Sequence, residues 1–353
     1  MMPPNSQAAE HEMTVRDRDV GTGHAGGWRV RIAEVRTSQP AVLLIVYIVM
    51  VLGFSVLNPL FFSTASFGNI LQDWAPVMLM AIGETYVVIS GGIDLSVGSN
   101  LGWSGVLCAL MMQAMNGAGF NPWLTVAGGL IVGVLSGAIV GLVNGLLITR
   151  ARLAPFIATL ATLGAAAGLT LVVTGGQQVA GGPAMVVPLG NNLYLGMFTV
   201  PLIVVIGVLA ISWAYLENSR FGRWTYAVGS NAFAARAAGV DVERHLVRLY
   251  VFSGLLAGLA GVVVYFRLAS GAPTSGSGQE LTAIAATVIG GTSLFGGEGK
   301  MAGTVLGALI ISSVLSGLIL IGVEPNWQQV VVGALIAGAV IMQSLGGSAR
   351  NVA

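Results

Sequence analysis

Residues 217–248, ENSRFGRWTYAVGSNAFAARAAGVDVERHLVR, form the longest polar passage between strongly apolar segments of this chain. The passage holds five of the 15 basic residues, Arg220, Arg223, Arg236, Arg244 and Arg248. Within it, residues 231–238 are good helix formers, and Gly239 favours the left-handed conformation that ends a helix. The passage predicts a short helix on a basic loop, which offers another molecule a surface to bind.

The composition indicates a protein that is solvated mainly by lipid. Of the 353 residues, 55% are hydrophobic and 8% are charged, and the mean hydropathy is +0.85, whereas a soluble domain is about a quarter charged. The net charge of +1 gives no basis for nucleic-acid binding. Cys108 is the single cysteine, which excludes an intrachain disulfide. No metal site and no pairing of nucleophile and base is visible, so we predict that the chain is not an enzyme.

Ten apolar runs predict an all-α, polytopic membrane protein of about ten transmembrane helices. The runs are 41–58, 74–91, 95–115, 123–148, 155–174, 198–216, 249–267, 281–295, 301–322 and 327–345. Several are shorter than the roughly 20 residues that cross a bilayer, which indicates broken or half helices. The predicted domains are a cytoplasmic tail at 1–39, a transmembrane domain at 40–345 with the cytoplasmic loop 217–248, and a cytoplasmic tail at 346–353.

The distribution of Lys and Arg predicts the orientation of the chain. With ten crossings and both termini in the cytoplasm, 14 of the 15 basic residues fall in cytoplasmic segments, and Arg267 is the exception. Basic residues concentrate in cytoplasmic loops of membrane proteins. The polar start of the chain shows no secretory signal pattern, so we expect the N-terminal tail to stay cytoplasmic and uncleaved.

The two halves of the chain share a sequence pattern that predicts a parallel internal repeat. When Gly91 is laid over Gly290, an offset of 199 residues, two glycine pairs coincide. Gly91 and Gly92 then match Gly290 and Gly291. Transport proteins use such repeats together with discontinuous helices.

Three runs resemble the motifs of one transporter family. Residues 222–242 follow the pattern G-R-x-x-Y-A-x-G-x-N-x-x-A-A-x-x-A-G-[IV]-x-V, and the runs GGIDLSVGS at 91–99 and ELTAIAATVIGGTSLFGG at 280–297 agree as well. From about residue 40 to residue 343 the chain resembles the ribose-type (monosaccharide) ABC importer permeases, the inner-membrane components of binding-protein-dependent transport with a type II-like permease fold.

The resemblance implies the partners of the chain. We expect a separate ATP-binding subunit with ABC domains, a periplasmic sugar-binding protein, a second permease copy in a homodimer, and membrane lipid, but no nucleic acid. No cofactor is expected in this chain, because ATP and Mg would be bound by the partner subunit. The implied location is the bacterial inner membrane. The residues expected to couple to the ATPase are Arg223, Asn231, Ala234, Ala235, Arg236, Ala238 and Gly239.

Glycine-rich turns beside polar residues predict helix breaks that act in gating, because irregular backbone at membrane depth occurs where it is buried or lines a cavity. These residues are Gly91, Gly92, Asp94, Ser96, Gly290, Gly291, Thr292 and Ser293. For Asp94 we favour a cap on the following helix over direct substrate contact, and Thr292 and Ser293 fit a similar cap.

Polar side chains within the apolar runs are the predicted substrate pathway, because an uncharged sugar needs hydrogen-bonding and aromatic groups. They are Asn69, Gln72, Asp73, Glu84, Tyr86, Asn100, Trp103, Glu280 and Thr282. Glu84 departs from the family pattern, which usually has methionine there. It is either a structural glutamate, protonated or paired with arginine, or a carboxylate that binds hydroxyl groups. Ala167 and Thr282 also replace charged residues of the family pattern, so the particular sugar or polyol stays open.

Two alternative functions remain. An ion-coupled secondary transporter would also show repeats, broken helices and intramembrane carboxylates. Within the ABC class, a permease for a branched-chain amino acid is the alternative substrate assignment. We expect uptake of a monosaccharide or sugar-like polyol from the periplasm into the cytoplasm, driven by a separate ATPase subunit.

Overall fold

A computed structural model describes the backbone of residues 39–350 and the side chains of residues 40–341. The predicted N-terminal tail up to residue 38 and the end of the C-terminal tail at 351–353 lie outside the described residues. Thirteen α-helices lie within the described range, and a short 3-10 helix spans Pro59–Phe62. The helices are α1 Gln39–Leu57, α2 Thr64–Ile89, α3 Val97–Gly117, α4 Pro122–Thr149, α5 Pro155–Thr174, α6 Val186–Asn191, α7 Val200–Asn218, α8 Arg220–Ser230, α9 Ala232–Ala237, α10 Val242–Leu268, α11 Gln279–Ile289, α12 Met301–Leu320 and α13 Asn326–Arg350. The all-helical prediction is confirmed for this part of the chain.

Six of the described helices are long and apolar enough to cross a membrane, which is fewer than the ten predicted crossings. They are α1, α4, α5, α7, α10 and α12. The predicted run 281–295 forms only the 11 residues of α11, about 16 Å of helix, because the chain turns after Ile289. α13 continues to Arg350, past the predicted domain boundary at residue 345.

Side-chain caps and prolines set several helix ends. The Ser63 hydroxyl accepts from the Ser66 amide at the start of α2, and the Asp241 carboxylate accepts from the Arg244 amide at the start of α10. Such oxygens satisfy amides that have no partner within the helix. Pro155 occupies the first turn of α5, where its missing N–H costs nothing. Capping side chains and prolines in the local sequence therefore set these helix ends.

The centre of the fold is α10, which packs against α2, α3 and α4. Every fourth residue of α4 from Gly129 to Gly145 is a glycine, and this glycine stripe lets the backbones meet. A Cβ on Gly137 would collide with Gly254 and Gly258, and one on Gly141 would collide with the Tyr250 carbonyl. Small residues permit this close approach between helices in membranes. The stripe is therefore a packing surface, as its four-residue spacing predicts.

Two short helices lie in segments that the sequence predicts as loops. α6 falls in residues 175–192, which are rich in Gly and Pro and predict an outer loop, and α8 falls in the polar passage 217–248. α6 is stabilised by burial, since Val186 and Gly190 pack into the fold and Gly190 lies against the Phe266 carbonyl. A helix of six residues that is held by tertiary contacts is too short to show a hydrophobic periodicity in the sequence.

Candidate functional site

Two turns interrupt the helical bundle at the predicted breaks, and both have the same geometry. After α2, Gly91 adopts φ +83° and its amide donates to the Val88 carbonyl at 2.9 Å, while Gly92 donates to Val87 at 3.0 Å. After α11, Gly291 adopts φ +87° and donates to Val288 at 2.9 Å, and Thr292 donates to Thr287 at 3.1 Å. Each turn is a Schellman motif, in which a left-handed residue satisfies the last carbonyls of a helix.

The turn geometry shifts the predicted alignment of the two halves by one residue. The left-handed glycines are Gly91 and Gly291, not the Gly91 and Gly290 that the sequence pairing matched. The packing also differs, since α11 packs directly against α12, whereas α2 and α3 both pack on α10. The shared feature is therefore the helix-ending turn itself.

Asp94 is the organising residue of the first turn. It is buried, and its Oδ1 accepts from the Ser96 amide at 3.1 Å and the Ser96 hydroxyl at 2.6 Å. Its Oδ2 accepts from the Ser253 hydroxyl of α10 at 2.9 Å, and the Asn144 amide of α4 lies 3.4 Å from Oδ1. Asp94 thus has a structural role and joins the residues before α3 to α10 and α4. The predicted cap is not formed, because α3 begins after Ser96 without a side-chain cap.

Glu84 lies beside Asp94 within α2. Its side chain is fully buried, and Oε1 accepts from the Asp94 amide at 3.2 Å. Its Oε2 has no hydrogen-bond partner among the described residues, and no arginine there pairs with it. An ionised side chain at membrane depth costs about 2.5–3.5 kcal/mol, which favours the protonated form. The arginine-paired option is therefore wrong, and the protonated structural glutamate is the surviving structural interpretation.

The polar passage 217–248 lies directly against both turns. Gly229 of α8 packs against the Ile89 carbonyl and the Gly297 amide, leaving no room for a Cβ. The Tyr226 hydroxyl donates to the Gly299 carbonyl at 2.8 Å, and the Gly297 amide donates to the Ile89 carbonyl at 2.8 Å. A displacement of α8 therefore acts at the same time on the end of α2 and on residues 296–299, which lie just before α12.

Tyr226 and Thr225 hold α8 in this position. Burial raises the pKa of the Tyr226 hydroxyl, and the Glu217 carboxylate adds to the rise, so the group stays a neutral donor. Thr225 Oγ1 and His245 Nε2 of α10 lie 3.1 Å apart and are hydrogen-bonded. α8 is thus fixed both to the turns and to the central helix.

The predicted short helix after α8 is confirmed. α9 runs from Ala232 to Ala237, the Asn231 side chain accepts from the Ala234 amide, and Gly239 has φ +89°. Phe233 on α9 is 81% exposed, and Phe295 in the second turn is 92% exposed. Apolar rings presented next to exposed arginines are typical of an interaction surface.

The far end of α10 carries a second polar feature, a cavity of about 300 Å³. An ion pair between Asp73 of α2 and Arg267 of α10 lies at this cavity, and the Ser316 hydroxyl of α12 lies 3.4 Å from Asp73 Oδ2. Pro76 lines the cavity inside α2 and, having no N–H, leaves the Gln72 carbonyl without its helical donor. The cavity therefore combines an ion pair with polar and apolar side chains.

The predicted substrate-pathway residues do not converge on one site. Asp73 lines the cavity, and Gln72 lines a smaller void that shares Arg267. Glu84 belongs to the Asp94 cluster. Tyr86 and Asn100 bind backbone carbonyls: Tyr86 donates to Ser212 at 2.6 Å, and Asn100 donates to Gly137 and Gly254 at 3.2 Å each.

The other predicted pathway residues are scattered. Asn69 is exposed on α2, and Trp103 is partly buried on α3. Glu280 lies against Gly98, and the hydroxyl of Thr282 lies 3.4 Å from the Gly278 carbonyl within its own helix. These positions give no shared surface.

The predicted cap at the second turn is wrong. α12 begins after Lys300 without a side-chain cap, eight residues beyond Thr292. Ser293 instead accepts from the Phe295 amide at 3.3 Å inside the turn. The insertion of residues 296–299, which include three glycines, separates the polar pair from the helix that it was expected to cap.

Sequence reasoning missed the cavity residues that come from distant segments, above all Ser312, Ser316 and Gln279. One signal pointed to them: Arg267 is the basic residue that breaks the cytoplasmic pattern. A charge at the end of an apolar helix needs a partner, and Asp73 supplies it.

The fold and these buried polar turns define a polytopic membrane protein built with interrupted helices, as transport proteins are. Residues 66–340 match the family model described as "Branched-chain amino acid transport system / permease component". The chain belongs to this permease family.

Curated relatives agree with the family. The ribose import permease protein of Bacillus subtilis strain 168 is 43% identical over 273 residues, which are 75% of this chain and 80% of the relative. The D-allose transport system permease protein of Escherichia coli K12 is 38% identical over 268 residues, 75% of this chain and 79% of the relative. The fructose import permease protein of Rhizobium meliloti is 36% identical over 285 residues, 78% of this chain and 77% of the relative. No solved structure matches the chain.

Proposed function

We propose that the chain is the transmembrane permease subunit of an ABC importer that moves a monosaccharide or sugar-like polyol from the periplasm to the cytoplasm, driven by a separate ATPase subunit. The observation that carries this proposal is the 43% identity to a ribose import permease across 75% of the chain. The related allose and fructose permeases extend the same substrate class. A ring with several hydroxyl groups is the common chemistry of these substrates.

A branched-chain amino acid is the second candidate substrate, because the description of the matching family model names that class. The curated relatives named above transport sugars instead, and they favour the first candidate. An ion-coupled secondary transporter has no support from these relatives.

α9 is the proposed coupling helix, which enters a groove of the ATPase subunit. Its exposed Phe233 and the neighbouring Arg236 form the contact surface, with Arg223, Asn231 and Gly239 fixing its position. ATP and Mg bind to that partner subunit. Of the predicted coupling residues, Ala234 and Ala238 keep this segment narrow enough to enter a groove. Ala235 is buried with Val228 and Val242 and holds α9 on the permease.

The gating proposal uses the contact between α8 and the two turns. When the ATPase subunits close, α9 and α8 move together, and the Tyr226 and Gly229 contacts carry that motion to Ile89, Gly297 and Gly299. These residues lie beside the turn at Gly91 and in the segment that follows the turn at Gly291. The left-handed glycines give the chain freedom to rotate there. The ends of α2 and α11 then tilt and switch access from one face to the other.

The topology proposal retains ten crossings, a parallel repeat, and cytoplasmic termini in the bacterial inner membrane. It also retains the predicted domain limits at 40–345. The recurring Schellman turn supports the repeat. α2 is long enough to cross the membrane, with its polar outer half facing α10 and α12. α11 and α13 are the proposed half helices.

The assembly proposal is a homodimer of permeases with two ATPase subunits and a periplasmic binding protein. The outer segments 175–192 and 269–280 would contact the binding protein. They are held together by a β-bridge between Val179 and Gly271, which gives the outer surface a fixed shape.

Reconstituted transport tests the proposal. The full-length permease, the ATPase subunit and the binding protein encoded beside it are placed in proteoliposomes, and uptake of D-ribose, D-allose, D-fructose and L-leucine is measured. We expect uptake of a sugar only with ATP present. Uptake driven by a proton or sodium gradient without ATP contradicts the ABC assignment, and uptake of leucine alone contradicts the sugar assignment.

A further inference from the structure

The cavity at the outer end of α10 has the size and the lining of a small-molecule site. Its volume of about 300 Å³ lies at the lower end of the range for ligand pockets. α2, α10 and α12 all contribute to its wall, and Gln279 and Gln328 add amide groups from the start of α11 and of α13. A site shared by so many elements changes shape when the helices tilt.

One buried polar group in this cavity has an unmet hydrogen-bonding capacity. Ser312 of α12 lines the cavity and is 2% exposed. Its Oγ has no hydrogen-bond partner among the described residues. A buried hydroxyl without a hydrogen-bond partner costs free energy, so a ligand that hydrogen-bonds to it removes that cost.

The charges in the cavity cancel one another. Arg267 pairs with Oδ1 of Asp73, and the Ser316 hydroxyl lies 3.4 Å from Oδ2. A zwitterionic amino acid would have to separate this ion pair to bind its two charged ends. A neutral polyol can bond to the outer lone pairs and N–H groups of the pair while the pair stays intact.

We propose that this cavity is a binding site for an uncharged polyhydroxyl ligand, with Ser312, Gln279 and the Asp73–Arg267 pair as its hydrogen-bonding groups. The inference rests on the proposed function and specifies where the sugar sits within one protomer. Pro76, Val77, Leu101 and Val264 supply the apolar face against which the C–H side of a sugar ring packs. The site lies at the opposite end of α10 from α8.

Uptake kinetics of matched variants test the site. In the full complex, Ser312→Ala and Gln279→Ala should each raise the KM for D-ribose, D-allose or D-fructose uptake, whichever the parent transports, by about fivefold, the effect of one lost hydrogen bond. Ser313→Ala is the matched control, because this neighbour is buried but contacts Tyr47 at 3.4 Å and does not line the cavity. Its KM should stay within about twofold of the parent, as for a substitution away from the site.

Cysteine protection gives an independent readout. The chain has one native cysteine, Cys108, which is buried and does not line the cavity, so a cysteine introduced by Ser312→Cys is the thiol that a reagent entering the cavity meets. The transported sugar at saturating concentration should slow the modification of this introduced thiol by methyl methanethiosulfonate in the complex, and L-leucine should not.

The outcomes separate this inference from the proposed function. Sugar uptake by the parent together with unchanged KM in both alanine variants, or no protection of the introduced thiol by the sugar, overturns the cavity assignment while leaving the transport function intact. A parent complex that transports none of the three sugars overturns both.

Discussion

At the scale of single residues, the two buried carboxyl groups near the first turn have different roles. Asp94 receives hydrogen bonds from three other side chains, those of Ser96, Asn144 and Ser253, whereas Glu84 receives one from the Asp94 amide. The sequence predicts the structural role of Asp94 because Ser96 follows two residues later. It could not predict the donors on α4 and α10, which lie 50 and 159 residues away along the chain.

Removal of the Asp94 carboxylate should destabilise the protein strongly. Asp94→Ala leaves several buried donors without an acceptor, each costing about 1–3 kcal/mol, so we expect a loss of more than about 3 kcal/mol and a clearly lower Tm in detergent. Asp241→Ala, which removes an exposed cap of α10, is the control and should cost about 1 kcal/mol. Equal losses of stability in the two variants would show that the Asp94 hydrogen bonds stabilise the fold no more than a single helix cap does.

The Glu84 carboxyl should tolerate neutralisation. Glu84→Gln keeps an oxygen to accept from the Asp94 amide and introduces no charge. The free energy of unfolding should therefore change by no more than about 0.5 kcal/mol, and Tm should stay near the parent value. The KM and maximal rate of sugar uptake should also stay near the parent values. A large loss of uptake at unchanged Tm would instead favour the hydroxyl-binding role of Glu84.

At the scale of helices, the glycine stripe and the coupling segment show what sequence patterns can predict. The four-residue spacing of glycines in α4 predicts a packing face, and α10 and α3 occupy it. The pattern does not say which helix packs there, because small residues accept any neighbour. α8 escaped prediction since the polarity of residues 217–248 indicates a loop, although one side of α8 packs on the two turns.

A larger side chain in the stripe should prevent correct packing. Gly141→Leu places atoms where the Tyr250 carbonyl lies, so we expect little folded protein by size-exclusion chromatography. Gly164→Ala on α5 is the matched control, since nothing lies within 4 Å of its Cβ position, and alanine should stabilise the helix by up to about 1 kcal/mol. Normal yields of the Gly141 variant would contradict the close contact.

The hydroxyl of Tyr226 should matter for coupling more than for stability. Tyr226→Phe removes the bond to the Gly299 carbonyl at a cost of about 1 kcal/mol, so the protein should remain folded. We expect ATP hydrolysis by the complex to continue while sugar transported per ATP falls several-fold. Tyr215→Phe tests the specificity of the effect, because the ring of Tyr215 stacks on Phe221 and the change keeps that ring. A similar fall in both variants would argue against the contact with the second turn.

At the scale of the whole molecule, the sequence predicts class and family, and the structure supplies the arrangement. Hydropathy locates a helix at each of the ten apolar runs, because the requirement for internal backbone hydrogen bonds in lipid leaves few alternatives. The cavity could not be predicted in the same way. Asp73, Arg267 and Ser312 are far apart in sequence, and their convergence depends on which helices α10 contacts.

The orientation of the molecule can be tested with one exposed position on each side. A cysteine introduced by Phe233→Cys should react with a membrane-impermeant maleimide only in inverted vesicles, whereas Gln177→Cys should react in intact spheroplasts. Both positions are exposed, so accessibility does not limit the reaction. Reaction of the Phe233 variant from outside intact cells would reverse the proposed topology and remove the coupling role of α9.

The 27 residues of α10 amount to a rod about 40 Å long, anchored by His245 near one end and carrying Arg267 near the other. Since His245 and Arg267 lie about 33 Å apart along the helix, rotation by about 5° around His245 displaces Arg267 by about 3 Å. Such a displacement is about as large as the length of a hydrogen bond. A small rotation of α10 at its His245 end would therefore be enough to separate Arg267 from Asp73. The rigid helix would let a movement beside α8 open the cavity at the opposite end.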